Sequence, residues 1–120
     1  MIHTSYYARL KDVPSGVVPV AVSCVVPEWY TGLTYQAIAP SSNLVRWYKE
    51  GKYSEEDFTK GYKQKLKAID QDEFVEKLID LTGSEDIVLL CYEKSYDFCH
   101  RHIIAEWLND AGYECEEMSF

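Results

Sequence analysis

One short stretch of the chain carries a thiol, a carboxylate, an imidazole and a guanidinium: Cys91-Tyr92-Glu93-Lys94, then Phe98-Cys99-His100-Arg101-His102. Ile87-Val88-Leu89-Leu90, immediately before it, is an unbroken apolar run. Such a run suits a central strand covered on both faces, and it delivers Cys91 to the carboxyl edge of a sheet. After a polar turn, a helical pattern opens at Cys99. A helix start offers unpaired backbone N–H groups and the positive end of the helix dipole, which is the recipe for an anion site. The same field lowers a thiol pKa. Cys99 is therefore the candidate nucleophile, with His100 or Glu93 as proton carrier and Arg101 holding the anion through its planar fork. The opposing reading has Asp97 capping the helix, Cys99 packed in the core and the cations paired with the protein's own carboxylates. A metal reading joins Cys99 and His102, three apart on a helix, with Cys91 or Cys115. Structural zinc usually takes two short-spaced ligand pairs and only one is visible, so no metal and no cofactor are assigned. A phosphatase-type loop fails because Arg101 stands far beyond Cys91.

The elements that must position these groups follow from patterning. Met1 to Tyr6 reads as a first strand, ending in Ser5, Tyr6, Tyr7 and Arg9. Those residues approach the same edge if that strand lies beside Ile87–Leu90. There Tyr6 or Tyr7 would stack on a planar ligand and Arg9 would meet a phosphate; packing of both tyrosines under the loop is the alternative. Val17 to Val25 is a β-branched run whose Pro19 sends it to an edge or to a strand start. Pro27 to Pro40 reads as a long loop, in which Trp29 either forms a lid or, as preferred, anchors the loop to the core. Ser42-Asn43 caps a helix from Leu44 to Glu50 that Gly51 closes. Ser54 caps a second, reaching about Ala68 with acids in its first turn. Asp72 to Leu81 forms a third, and Cys99 to Ala111 a fourth, before a last strand at Tyr113 to Glu117. Strands near both ends with helices between them imply a three-layer, Rossmann-like α/β sandwich with a small, mainly parallel sheet. The whole chain, 1–120, reads as one domain, and ligands of such sheets sit outside the carboxyl ends of the strands.

Composition narrows the function classes. The chain has 120 residues and a net charge of −8, which argues against general duplex nucleic-acid binding, since phosphates are met by a basic face. No apolar run is long enough for a membrane span, and no basic-then-apolar start marks a signal peptide. Cys24, Cys91, Cys99 and Cys115 are long and irregular in spacing, so reduced thiols and a cytoplasmic setting are expected. Lys49, Lys52 and the lysines from Lys60 to Lys67 read as a solvated helix face. Oligomeric state is left open.

The order Leu89-Leu90-Cys91-Tyr92-Glu93-Lys94, Phe98-Cys99-His100-Arg101-His102 and Ala105-Glu106-Trp107-Leu108 resembles the signature of the DUF488 family. Thr4-Ser5-Tyr6-Tyr7, Pro27-Glu28-Trp29, Leu44 to Gly51 and the Tyr62 helix fall in the family's order. The extended segment that longer members carry after the second strand has no room here. The resemblance implies a three-layer α/β fold and a pocket around Cys91, Glu93, Lys94 and Cys99 to Arg101, without naming a reaction. Three functions fit. One is a site for an anionic or nucleotide-like small ligand, formed by Ser5, Tyr6, Arg9, Cys91, Lys94 and Arg101, with Cys-dependent chemistry by Cys99, His100 and Glu93. Another is a non-enzymatic sequestering module using the same pocket. The third is an interaction protein with an acidic surface.

Overall fold

The computed structural model describes residues 1–93 and 98–120. Five strands form one parallel sheet: β1 Ile2–Tyr6, β2 Val18–Ala21, β3 Leu33–Thr34, β4 Ile87–Cys91 and β5 Cys115–Glu117, in the order β3-β2-β4-β1-β5. Four α-helices accompany them: α1 Ser42–Lys49, α2 Glu55–Leu66, α3 Gln71–Thr82 and α4 His100–Asp110. Two 3-10 turns, Tyr7–Asp12 and Gln36–Ile38, complete the elements. The α/β class expected from the sequence is the one found.

Strand alternation divides the core between two faces of the sheet. Ile2, Val20, Val22, Ile87 and Leu89 pack with Phe58, Tyr62, Leu66, Phe74, Leu78, Ile104 and Leu108 of α2, α3 and α4. On the opposite face, Ala21, Val88 and Leu90 meet Tyr7 and Tyr30. One cover is thus a helical layer and the other a thin layer of 3-10 turn and loop. All five residues of β4 are buried, as its apolar run requires.

β2 is shorter than the expected Val17–Val25 and is not an edge strand, because β3 flanks it inside the segment read as loop. Pro19 is tolerated for a geometric reason. The N–H groups of Val18 and Val22 bond to Asp86 and Leu90 on the β4 side, so Pro19 turns the other way. There β3 pairs only Val20 and Ala21, leaving no ladder bond for Pro19 to break.

Local signals set the helix ends. Ser54 and Asp57 form a reciprocal capping box at α2, with bonds of 3.1 Å each way. Asp70 accepts from Glu73 N–H at α3, and Gly83 closes that helix at φ 69°, a conformation glycine adopts freely. The α1 cap is Ser41 rather than Ser42-Asn43: its hydroxyl accepts from Leu44 N–H at 3.2 Å. Asp97, the other expected cap, lies outside the described residues, and the N-cap position of α4 falls at Cys99.

The fully buried Val88 tests the central-strand placement. Val88→Asp puts an unpaired carboxyl between sheet and loop layer and should cost about 3 kcal/mol or more in urea unfolding. A midpoint within error of the parent protein would contradict the placement.

Candidate functional site

The parallel register of β1 and β4 sets Tyr6 opposite Cys91, so the ends of the two strands share one edge, as the sequence reading required. Cys91 follows Ile87 and Leu89 in the alternation and faces the helical layer. α4 begins on that side, with Cys99 at its N-cap and His100 as its first residue. The two sulfurs share a hydrogen bond at 2.7 Å, and both side chains are buried.

His100 is held between these sulfurs and the exit of β2. Its Nε2 lies 2.9 Å from the Val22 carbonyl oxygen, which can only accept, so Nε2 carries the proton. The ring's other nitrogen, Nδ1, is thereby aimed at the thiols, 3.4 Å from Cys91 Sγ and 3.9 Å from Cys99 Sγ. Tyr62 closes the far side of the ring edge-on, its centroid 5.7 Å away. Glu93 stands half-buried with Oε2 3.4 Å from Cys91 Sγ.

These contacts divide the protons between the two thiols. Burial pushes the Cys99 thiol up, but its contacts with Cys91 and His100 and the positive charge of Arg101 outweigh it. The balance leaves Cys99 below the ordinary thiol range. Its bond with Cys99, followed by burial, moves Cys91 the opposite way, so Cys91 keeps its proton. Burial, then the negative sulfur of Cys99, raises the Glu93 carboxyl above its usual range. A carboxyl raised in this way, beside a thiol, is a candidate proton carrier.

The other expected site residues are placed differently. Arg101 is fully buried, and its fork is taken by Glu117: Nε donates to Oε1 at 3.0 Å and Nη2 to Oε2 at 2.9 Å. Thr4 Oγ1 donates to the same carboxylate at 2.6 Å, which ties α4 to β5 and β1. Nη1 of Arg101 is buried with no partner among the described residues. Tyr6 lies under this guanidinium, 5.5 Å from ring centre to Cζ, and the Ser5 hydroxyl is buried without a partner among the described residues. Arg9 turns to Asp12 at 2.8 Å and covers the Phe120 ring. Lys94 lies outside the described residues. Tyr7, rather than Tyr6, enters the aromatic cluster. Its hydroxyl donates to Ser23 Oγ at 2.6 Å, because the Ser23 proton is committed to the Val25 carbonyl, and burial pushes the phenol up to about 12. Trp29 does not anchor the loop by burial: it stays 60% exposed, leaning edge-on against Tyr7 and Tyr30. Beside it Tyr92 packs against Tyr7 at 4.9 Å and stays largely exposed.

A cleft of about 80 Å³ opens beside the cluster, lined in part by Ser23, Lys49, Cys91, Tyr92, Glu93 and His100. A second, about 60 Å³, reaches Cys99 past Tyr48, Phe58 and Phe98. Among the described residues, Cys91, Cys99 and His100 offer donor atoms within 4.8 Å of one another, a soft set able to hold a metal ion. His102, the ligand considered from spacing, is not in that set.

Four contributors escaped the sequence reading. Val22 acts through its backbone and left no side-chain signal. Ser23 sat in an unremarkable run. Lys49 was absorbed into the lysine-rich face, though its spacing from Val45 puts both on one side of α1. Glu117 did leave a signal: the two-residue period of β5 puts it on the face of buried Cys115, where a carboxylate needs an internal cation.

The Arg101–Glu117 pair has a direct consequence. Glu117→Ala leaves a guanidinium buried and uncompensated, with an expected loss of about 3 kcal/mol in chemical denaturation. A loss below about 1 kcal/mol, the size of a surface pair, would show that the contact does not hold α4 in place.

Comparison with known proteins places the chain. No curated protein and no solved structure matches it. The family model DUF488-N3a, described as the active DUF488-N3 subclade, matches residues 9–112, a span that takes in β2 to α4 and every residue of the thiol cluster. The chain belongs to the DUF488 family.

Proposed function

We propose that this protein is a cysteine-dependent enzyme acting on an anionic, nucleotide-like small molecule where the end of β4 at Cys91 meets the start of α4 at Cys99 to Arg101. The observation that carries the reading is the Cys99–His100 pair, with imidazole Nε2 locked on the Val22 carbonyl and Nδ1 turned to the sulfurs. A nucleophile, a base and a group orienting the base are the working parts of thiol catalysis. Here a backbone carbonyl does the orienting.

Cys99 attacks, and the buried sulfur is helped by its place at the start of an eleven-residue helix. His100 exchanges a proton through Nδ1, and Glu93 supplies a second carrier at the mouth. The small clefts admit the reacting end of the substrate only. Its anionic group is met by Lys49 and the α4 N–H groups, and its planar part lies outside, against Tyr92 and Trp29. Arg101 contributes charge from within: it supports the Cys99 thiolate while bonded to Glu117.

Two alkylating reagents of opposite character test this on the folded, reduced protein. Iodoacetate is anionic and intrinsically slower with thiolates than neutral iodoacetamide. Peptide mapping should find Cys99 labelled before Cys24 and Cys115 at about pH 6, where an ordinary thiol is almost fully protonated. Iodoacetate should match or overtake iodoacetamide there, and inorganic phosphate should slow it. His100→Ala should reduce the Cys99 rate by about ten-fold or more. Labelling that starts at the half-exposed Cys24, with Cys99 reached only on unfolding, would overturn the proposal.

A further inference from the structure

Cys91 has no part in the nucleophile–base pair, yet it touches the nucleophile. Its sulfur is 2.7 Å from Cys99 Sγ, 3.4 Å from His100 Nδ1 and 3.4 Å from Glu93 Oε2. The two cysteines sit on rigid elements, the last residue of a fully buried strand and the N-cap of a helix, so their approach is built into the fold. Cys24 and Cys115 lie elsewhere, the first half-exposed after β2, the second buried in β5. All four are free thiols.

We propose that Cys91 and Cys99 form a two-electron dithiol centre that a hydroperoxide oxidises to an intramolecular disulfide, with Cys99 as the attacking and Cys91 as the resolving sulfur. This rests on the reading of Cys99 as the nucleophile of the same site.

The steps balance. The Cys99 thiolate attacks the terminal oxygen of the hydroperoxide; an S–O bond forms, the O–O bond breaks, and the released hydroxide or alkoxide takes a proton from solvent. Cys99 is then a sulfenic acid. Cys91 yields its proton to His100 Nδ1, the one free nitrogen of that ring, and attacks the Cys99 sulfur. The S–S bond forms, the S–O bond breaks, and the hydroxide leaves as water with the proton from His100. Two thiols have lost two electrons, and the peroxide has been reduced to water, or to an alcohol and water. A further dithiol returns the pair to its reduced state by exchange. The clefts of about 80 and 60 Å³ are of a size for hydrogen peroxide. Oxidation would remove the nucleophile, so this chemistry would also switch off the activity proposed above.

Hydrogen peroxide on the full, reduced chain is the probe. Quenching with N-ethylmaleimide under denaturing, non-reducing conditions should give a product lighter by two hydrogens and short of two labels. Peptide mapping should join Cys91 to Cys99, with thiol loss there about ten-fold faster than at Cys115. In Cys91→Ser the reaction should stop at the sulfenic acid, which dimedone traps on Cys99; in Cys99→Ser rapid oxidation should vanish. Oxidation spread evenly over the four thiols, or a cross-link joining other cysteines, would overturn the proposal. The parent map decides even if a variant fails to fold. Should Cys99 still alkylate early while no Cys91–Cys99 link forms, the dithiol proposal fails and the nucleophile reading stands. Should neither occur, both fail.

Discussion

A carbonyl oxygen can only accept a hydrogen bond, and the chemistry of this site depends on that constraint. The Val22 oxygen 2.9 Å from His100 Nε2 fixes which imidazole nitrogen bears the proton and leaves Nδ1 for the sulfurs. The bond is long-range in sequence and joins the exit of β2 to the first turn of α4. It couples the sheet's geometry to the state of a proton. Without it the ring could flip, and the two thiols would lose the asymmetry that moves Cys99 below and Cys91 above the ordinary thiol range.

Three contacts seat the start of α4, and each serves a different purpose. His100 is held by a backbone acceptor, Cys99 by the sulfur of Cys91, and Arg101 by the two oxygens of Glu117. The last is a buried ion pair, whose value lies in specifying position more than in net stability. It fixes the helix in register with β1 and β5 while lending positive charge to Cys99 two residues away. The thin loop layer on the other face leaves Trp29 and Tyr92 partly exposed at the sheet's edge, where a thick helical cover would have hidden them.

Patterns with strong physical periods were legible in the sequence. The Ile87–Leu90 run fixed the central strand, and Ser54 with Asp57 marked the α2 start. The place of Cys91 at the carboxyl edge, close to Cys99 and His100, followed from strand and helix order alone. What was not legible involved partners distant in the chain. Arg101 looked like a ligand-facing fork because its neighbours are polar, and only the fold brings Glu117 to it. His100 was read as a proton carrier and His102 as a possible metal ligand; the helix phase turns the first toward the sulfurs and leaves the second outside the cluster. Pro19 suggested an edge or a strand start; β2 begins one residue before it, and a two-residue neighbour strand leaves it room. Tyr6 and Tyr7 were read together, and they part because a 3-10 turn begins at Tyr7 and takes it under the loop layer.

Carbon-13 NMR of protein labelled at the cysteine Cβ reports the ionisation of each sulfur without a reagent having to reach it. Assigned through Cys91→Ser and Cys99→Ser, the Cys99 signal should sit at its thiolate position at about pH 6, while Cys91 should remain a thiol well into the alkaline range. A Cys99 signal titrating near the ordinary thiol value of about 8.5 would contradict the account.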